Sequence, residues 1–183
     1  MELLDLVDEN NNLTGKSIDR EIIHKEGLWH REVAVIIINE EGKMLLEKRS
    51  PLKKQSPNKW ALCAGHIEAG DNPEKAIVRE MEEEIGVKIS IDDLEFLKVA
   101  KRDVKFNEEQ YNRAFQYTYL WRTNKKESDF KVQIEELTEV RFFSIKEVKE
   151  AVENNDNNFA FSKEEYINEI LFLAESKILN KED

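Results

Sequence analysis

The chain has a single cysteine, Cys63, so no disulfide can form within it. Three prolines and six glycines in 183 residues leave no room for a fibrous repeat or a Pro/Gly-rich linker. No apolar run approaches the roughly eighteen residues that a membrane span needs. The longest, Val33 to Ile38, has the length of a strand. The first residues, Met-Glu-Leu-Leu-Asp-Leu-Val-Asp-Glu, carry acids where a secretory leader carries bases. Positive charge is also scarce. Lys and Arg number 28 against 39 Asp and Glu, for a formal net charge of -11. That balance argues against general nucleic-acid binding, which needs a cationic face to displace counterions. The expectation is a soluble, cytoplasmic protein with no nucleic-acid or membrane partner. Its length suits one domain, residues 1–183, whose 40% apolar content can fill a core.

One stretch departs from the acidic balance. From Lys48 to Lys59 there are five bases (Lys48, Arg49, Lys53, Lys54, Lys59) and no acid. An acidic protein that handles an anionic substrate would need such a local reversal, or bound cations.

Leu3 to Val7 predicts a short strand, with Asp8 to Gly15 as its turn. Glu32 to Asn39 is β-branched and almost continuously apolar, as in a buried strand. Glu40-Glu-Gly42 predicts a turn and Lys43 to Arg49 a returning antiparallel strand. Pro51 to Asn58 is a loop, and Trp60 to Ala64 a short apolar strand. Asn72 can cap a helix that begins at Pro73, and Gly86 can stop it after Ile85. Further strands are expected at 94–102, 115–122 and 139–143, then helices at 144–153 and 163–178. Strands, one helix, more strands and two helices predict an α/β (α+β) fold, a mixed sheet between helices. An N-terminal hairpin over 1–28 and the helix at 163–178 are expected as decorations.

The chemistry concentrates on the helix from Pro73. Glu80, Glu83 and Glu84 stand at i, i+3 and i+4, which share one helix face. Like charges so placed repel, and a hard divalent cation such as Mg²⁺ or Mn²⁺ is the natural counterweight. Ile77, Met81 and Ile85 form a separate stripe for the core. Arg79 precedes Glu83 by four residues and is placed to orient it. Gly65 and Gly70 bracket the preceding loop, where glycine lets the backbone approach an ion or phosphate. Alone, a Glu-Glu-Glu run is usually a solvated face. The glycine loop, the capped start and the stop at Gly86 set this one apart.

Gly65-His-Ile-Glu-Ala-Gly-Asp71, seven residues, then Arg79-Glu-Met-Glu-Glu-Glu-Ile-Gly-Val87 resembles the box of the Nudix hydrolases. One fixed position departs: Asp71 stands where that family has Glu. The resemblance implies a Nudix α/β/α sandwich and a hydrolase of phosphate anhydrides. It implies that Glu80, Glu83 and Glu84, with the Gly65 carbonyl, bind Mg²⁺ or Mn²⁺, and that Glu80, Glu83 and Arg79 serve catalysis. It also implies one more carboxylate from outside the box. Glu108, Glu109, Glu135 and Glu136 are candidates, with Glu135 or Glu136 preferred. Arg49, Lys59 and His66 are the expected contacts to a small-molecule diphosphate, such as a nucleoside diphosphate derivative. Trp29, beside Gly27, is the candidate for a site rim or a homodimer contact.

Outside the box, Leu4-Asp-Leu-Val-Asp-Glu-Asn10, Thr14-Gly-Lys16, His30-Arg31, Leu45-Leu-Glu-Lys-Arg-Ser50 and Pro57-Asn-Lys-Trp60 resemble the branch related to isopentenyl-diphosphate isomerase. Isomerisation is therefore a rival. His30 and His66 match that enzyme's metal-binding histidines, and His24 lies one residue out of register. Its catalytic cysteine would fall at Ala64; Cys63 is one residue early, which on a strand reverses the face. Its two glutamates fall at Asn112 and Ala114. Hydrolysis is the preferred expectation, with a non-catalytic nucleotide-sensing module as a third reading.

Overall fold

The computed structural model describes residues 2–107, 110–160 and 165–179. The chain opens with an antiparallel hairpin, β1 (Leu3–Val7) and β2 (Leu13–Asp19). The Asp8 carboxylate accepts the backbone N–H groups of Asn10 and Asn12 and so shapes its turn. The hairpin expected over 1–28 ends at Asp19, and a short helix, α1 (Arg20–Glu26), takes up its last part. Its signals are only its ends: Asp19 caps the start and Gly27 leaves in the left-handed conformation. With one fully buried residue, Ile23, it carries too few turns for a periodic pattern.

The main sheet is mixed. Its order is β5 (Trp60–Ala61), β4 (Met44–Arg49), β3 (Trp29–Asn39), β8 (Gln110–Thr123), β7 (Leu94–Asn107), with β9 (Leu137–Phe143) on β4 and β6 (Cys63–His66) on β3. β3 and β8 run parallel, and the remaining pairs are antiparallel. The helices are α2 (Pro73–Ile85), α3 (Ile145–Glu153) and α4 (Glu165–Leu179).

β3 explains its own composition. Alternate residues point to opposite sheet faces. Val33, Val35 and Ile37 join Ile77, Met81 and Ile85 of α2 in one core. Ile36 and Ile38 join Val148 of α3 and Ile167, Ile170 and Ala174 of α4 in the other. The strand is covered on both faces, so its apolar run does not alternate. Each fully buried Val or Ile contributes roughly 1.5–3 kcal/mol. The predicted α/β sandwich, a mixed sheet between helices, is what forms.

One departure matters for function. Trp60 to Ala64 is not one strand but two, broken at Leu62. β3 and β4 pair only at Ile37–Leu45 and Ile38–Met44. Below those pairs they part, so β5 stays with β4 while β6 crosses to β3 and pairs Val35–Cys63 through Glu32–His66. The sheet forks there, and α2 lies against the fork.

Candidate active site

Asn72 accepts the Lys75 N–H, Pro73 fills the first turn, and Gly86 closes α2 in the left-handed conformation at φ 69°. The caps fix the rotation of α2, and its two faces separate. Ile77, Met81 and Ile85 are fully buried. Glu80, Glu83 and Glu84 line a cleft of about 480 Å³ at the fork.

Gly65 faces α2 from β6. A Cβ at that position would overlap the Glu80 carboxylate, so the absence of a side chain makes the Glu80 site possible. Arg79 ties the assembly together. Its Nη1 is 3.0 Å from Glu80 Oε1, 3.1 Å from Glu68 Oε1 and 3.4 Å from Glu83 Oε2. Its Nη2 donates to the His66 carbonyl at 3.1 Å. Asp71 forms an ion pair with Lys75, so its carboxylate is held at the loop, outside the cleft lining.

The carboxylates differ in environment. The Glu80 side chain is 12% exposed. Burial, then the Glu84 charge, raise its pKa from 4.5 to about 7, against the pull of Arg79. Glu84 is nearly buried, and burial raises its pKa against the pull of Lys53. Glu83 is half-exposed and faces the open side. Two acids packed at this depth, with Glu83 beside them, leave charge for a divalent cation to balance. With the Gly65 backbone beside Glu80, the donors are hard oxygens of the kind Mg²⁺ and Mn²⁺ accept.

Arg49, Lys53, Arg20 and Arg102 also line the cleft. Arg49 Nε is anchored on the Gln55 carbonyl at 3.0 Å, and Lys53 forms an ion pair with Glu136. Lys59 is not in the lining; its Nζ donates to Asn157 Oδ1 at 2.8 Å on another surface. Glu136 lies in the cleft wall, whereas Glu135 is exposed and outside it. Glu108 and Glu109 lie outside the described residues. Trp29 packs on Phe115 with ring centroids 5.3 Å apart, beneath Lys101.

The three histidines converge, His24 included. His24 Nε2 lies 3.0 Å from His66 Nε2, and His30 Nε2 is buried without a hydrogen-bond partner among the described residues. His24 Nδ1 and His30 Nδ1 sit 2.9 and 3.2 Å from backbone carbonyls of Tyr111 and Leu28. Bonds of that kind fix the tautomer and leave Nε2 as an acceptor. Burial lowers the pKa of His24 and, further, of His66, so both are neutral near pH 7. Glu32 Oε1 stands 3.6 and 3.7 Å from the Nε2 atoms of His30 and His66. The three rings can hold a cation together. α1 is what brings His24 into place, which linear register cannot express.

Cys63 faces α2, with its Sγ 3.5 Å from Glu84 Oε2. Ala64, on the opposite face, lines the cleft. Burial, then Glu84, push the Cys63 thiol well above its ordinary pKa, the reverse of a nucleophile's setting. Glu47 on β4 faces the same point and is missed by sequence reasoning, as are Glu32 and Arg102; Lys53, from the basic run, does reach the cleft. A charged residue inside an apolar strand, as in Met44-Leu-Leu-Glu47, is the signal that could have found Glu47.

An α/β/α fold with a carboxylate-rich helix behind a glycine loop, at the fork of a mixed sheet, defines a class of metal-assisted hydrolases. The NUDIX domain family model matches residues 28–163, and the chain belongs to that family, whose members hydrolyse pyrophosphate bonds and generally use divalent metal ions. It is 29% identical to an uncharacterised Nudix hydrolase of Clostridium acetobutylicum, over all of this chain and 89% of that one. It is 37% identical to an isopentenyl-diphosphate isomerase of Streptomyces avermitilis, over 49% of this chain and 46% of that protein. A Deinococcus radiodurans crystal structure superposes with a TM-score of 0.69 at 20% identity, over 94% of this chain and 99% of that one.

Proposed function

We propose that this protein hydrolyses the diphosphate bond of a nucleoside diphosphate derivative or a related small diphosphate, with Mg²⁺ or Mn²⁺. The observation that carries the reading is the convergence of Glu80, Glu83, Glu84 and the side-chain-free Gly65 on one cleft that also holds Arg49, Lys53 and Arg102. Glu80, Glu83 and Glu84, with the Gly65 carbonyl, would hold the metal. A metal held by these residues would supply charge to neutralise the diphosphate and to lower the pKa of water.

The remaining work falls to the chain itself. Arg49 and Lys53 are held in the wall beside the acids and pair with phosphate oxygens. Arg79 keeps Glu80 and Glu83 in place and ties them to the β6 backbone through the His66 carbonyl. Burial and the Glu84 charge raise the Glu80 pKa to about 7, a cost that a cation held there would remove. Glu136, anchored by Lys53, is the preferred outer carboxylate. Substrate hydroxyls or bases meet Tyr166 and Phe106 at the rim.

Incubation with a panel of diphosphates and either Mg²⁺ or Mn²⁺ should release phosphate or a monophosphate. Glu83→Gln and Glu84→Gln should each remove nearly all of that release while circular dichroism stays unchanged. Full turnover in both variants would refute the mechanism.

The histidine cluster favours a second reading, isomerisation of isopentenyl diphosphate. Against it, the cleft shows Ala64 where a nucleophile would stand, and Cys63 is turned to the other face. Reaction in deuterated water should yield no labelled dimethylallyl product; labelled product would reinstate the isomerase.

A further inference from the structure

Behind Glu84 lies a second group of donors that the hydrolytic reading does not use. Glu47 on β4, Cys63 on β6 and Glu84 on α2 meet at the base of the fork, and their donor atoms all lie within 4.8 Å of one another. Glu47 is only 2% exposed, and among the described residues neither of its carboxylate oxygens has a hydrogen-bond partner. A buried carboxylate with no donor is costly. Glutamine at this position would fill the same space without a charge. Two acids and a thiol gathered from three elements, with no base among them, call for a cation.

We propose that Glu47, Cys63 and Glu84 form an inner cation site selective for a divalent transition metal of the zinc and cobalt kind. Distances and donor chemistry both support it. Metal bonds of about 2.0–2.3 Å in a tetrahedral site put neighbouring ligand atoms roughly 3.3–3.8 Å apart. Cys63 Sγ and Glu84 Oε2 are 3.5 Å apart. A thiolate beside two carboxylates suits a borderline-soft ion and disfavours Mg²⁺, which demands an octahedron of oxygens. Entry is through the cleft, because Glu84 lines its floor and backs onto the other two ligands. The inference rests on the proposed hydrolase only through Glu84, which the two sites would share.

Cobalt titration of the metal-stripped protein tests this directly. Cys63 is the chain's only cysteine, so a thiolate-to-cobalt absorption band reports on this site and not on the histidines. The band should grow to one equivalent of Co²⁺, vanish on addition of Zn²⁺, and persist in excess Mg²⁺. Cys63→Ser should lose the band. Glu47→Gln, close in shape to the native residue, should weaken cobalt binding at this site by about tenfold or more. No band at saturating Co²⁺, or an unchanged band and affinity in Glu47→Gln, overturns the inner site. Hydrolysis with Mg²⁺ is scored separately. Turnover without a cobalt band removes only the inner site, and a cobalt band without turnover removes only the hydrolase reading.

Discussion

Replacing Glu80 with Gln probes the electrostatics of the cleft floor. In the metal-free protein, burial and the neighbouring Glu84 carry the Glu80 pKa from 4.5 to about 7. At about 1.4 kcal/mol per pH unit, the folded anion is disfavoured by at most about 3 kcal/mol. Proton counting gives the sign. Below pH 4.5 the group is protonated whether the chain is folded or not, and it contributes nothing. Between pH 4.5 and 7 the unfolded chain releases its proton while the folded chain keeps it, so stability falls as pH rises. Above pH 7 the full penalty stands.

Gln keeps the shape of Glu and never ionises. The variant should therefore match wild type near pH 4.5 and gain up to about 3 kcal/mol by about pH 8. For a chain of this length, 1 kcal/mol moves Tm by roughly 2–4 °C. Calorimetry in a chelator at about pH 8 should thus show the variant melting as much as 6–12 °C higher. The difference between the two proteins reports Glu80 together with its coupling to Glu84, while acids distant from the cleft titrate alike in both. Saturating Mg²⁺ should reverse the order, because a cation that binds only the folded wild type stabilises it by mass action. Equal melting temperatures at both pH values would refute this account of Glu80.

Two further substitutions separate site from scaffold. Gly65→Ala places a methyl in the space of the Glu80 carboxylate. It should lower Mg²⁺ affinity measured by calorimetry by about tenfold or more and destabilise the fold by about 1–3 kcal/mol. Met81→Ala opens a cavity between α2 and β3, costs about 2–5 kcal/mol in denaturant unfolding, and leaves metal affinity of the folded protein unchanged.

Sequence alone located α2 to the residue, since Asn72, Pro73 and Gly86 are side-chain and backbone signals that act locally. It also located the carboxylate face and the two-sided burial of β3, which follow from spacing. It did not reveal the fork. Whether Trp60 to Ala64 stays with one neighbour depends on where β3 and β4 stop pairing, and no residue in the segment encodes that. α1 was missed for a related reason: its capping residues were readable, but seven residues give no periodicity. The convergence of His24 on His66 and of Glu47 on Glu84 follows from those two features. Both are contacts between elements distant in the chain, and spacing along the chain does not express them; the acid of Glu47 inside an apolar strand is the one local mark.

The net charge of -11 remains to be reconciled with an anionic substrate. The basic run from Lys48 to Lys59 does so only in part, because Arg49 and Lys53 line the cleft while Lys59 turns away. Chain folding adds Arg20, Arg79 and Arg102, for five cations in the lining. Opposite them stand seven carboxylates: Glu2, Glu32, Glu68, Glu80, Glu83, Glu84 and Glu136. Among the described residues, five against seven leaves -2 with all groups ionised, and even with Glu80 and Glu84 partly protonated the bare cleft offers a diphosphate no net attraction. Two divalent cations would turn that to +2, and the low-dielectric walls would strengthen the attraction. Substrate affinity should therefore be linked to metal. A non-hydrolysable diphosphate analogue should bind by calorimetry in Mg²⁺ and fail to bind in a chelator, and by reciprocity the analogue should tighten Mg²⁺ binding by the same factor. Equal analogue affinity in chelator and in Mg²⁺ would mean that the arginines and Lys53 suffice, and that the acids of α2 play no part in holding the substrate.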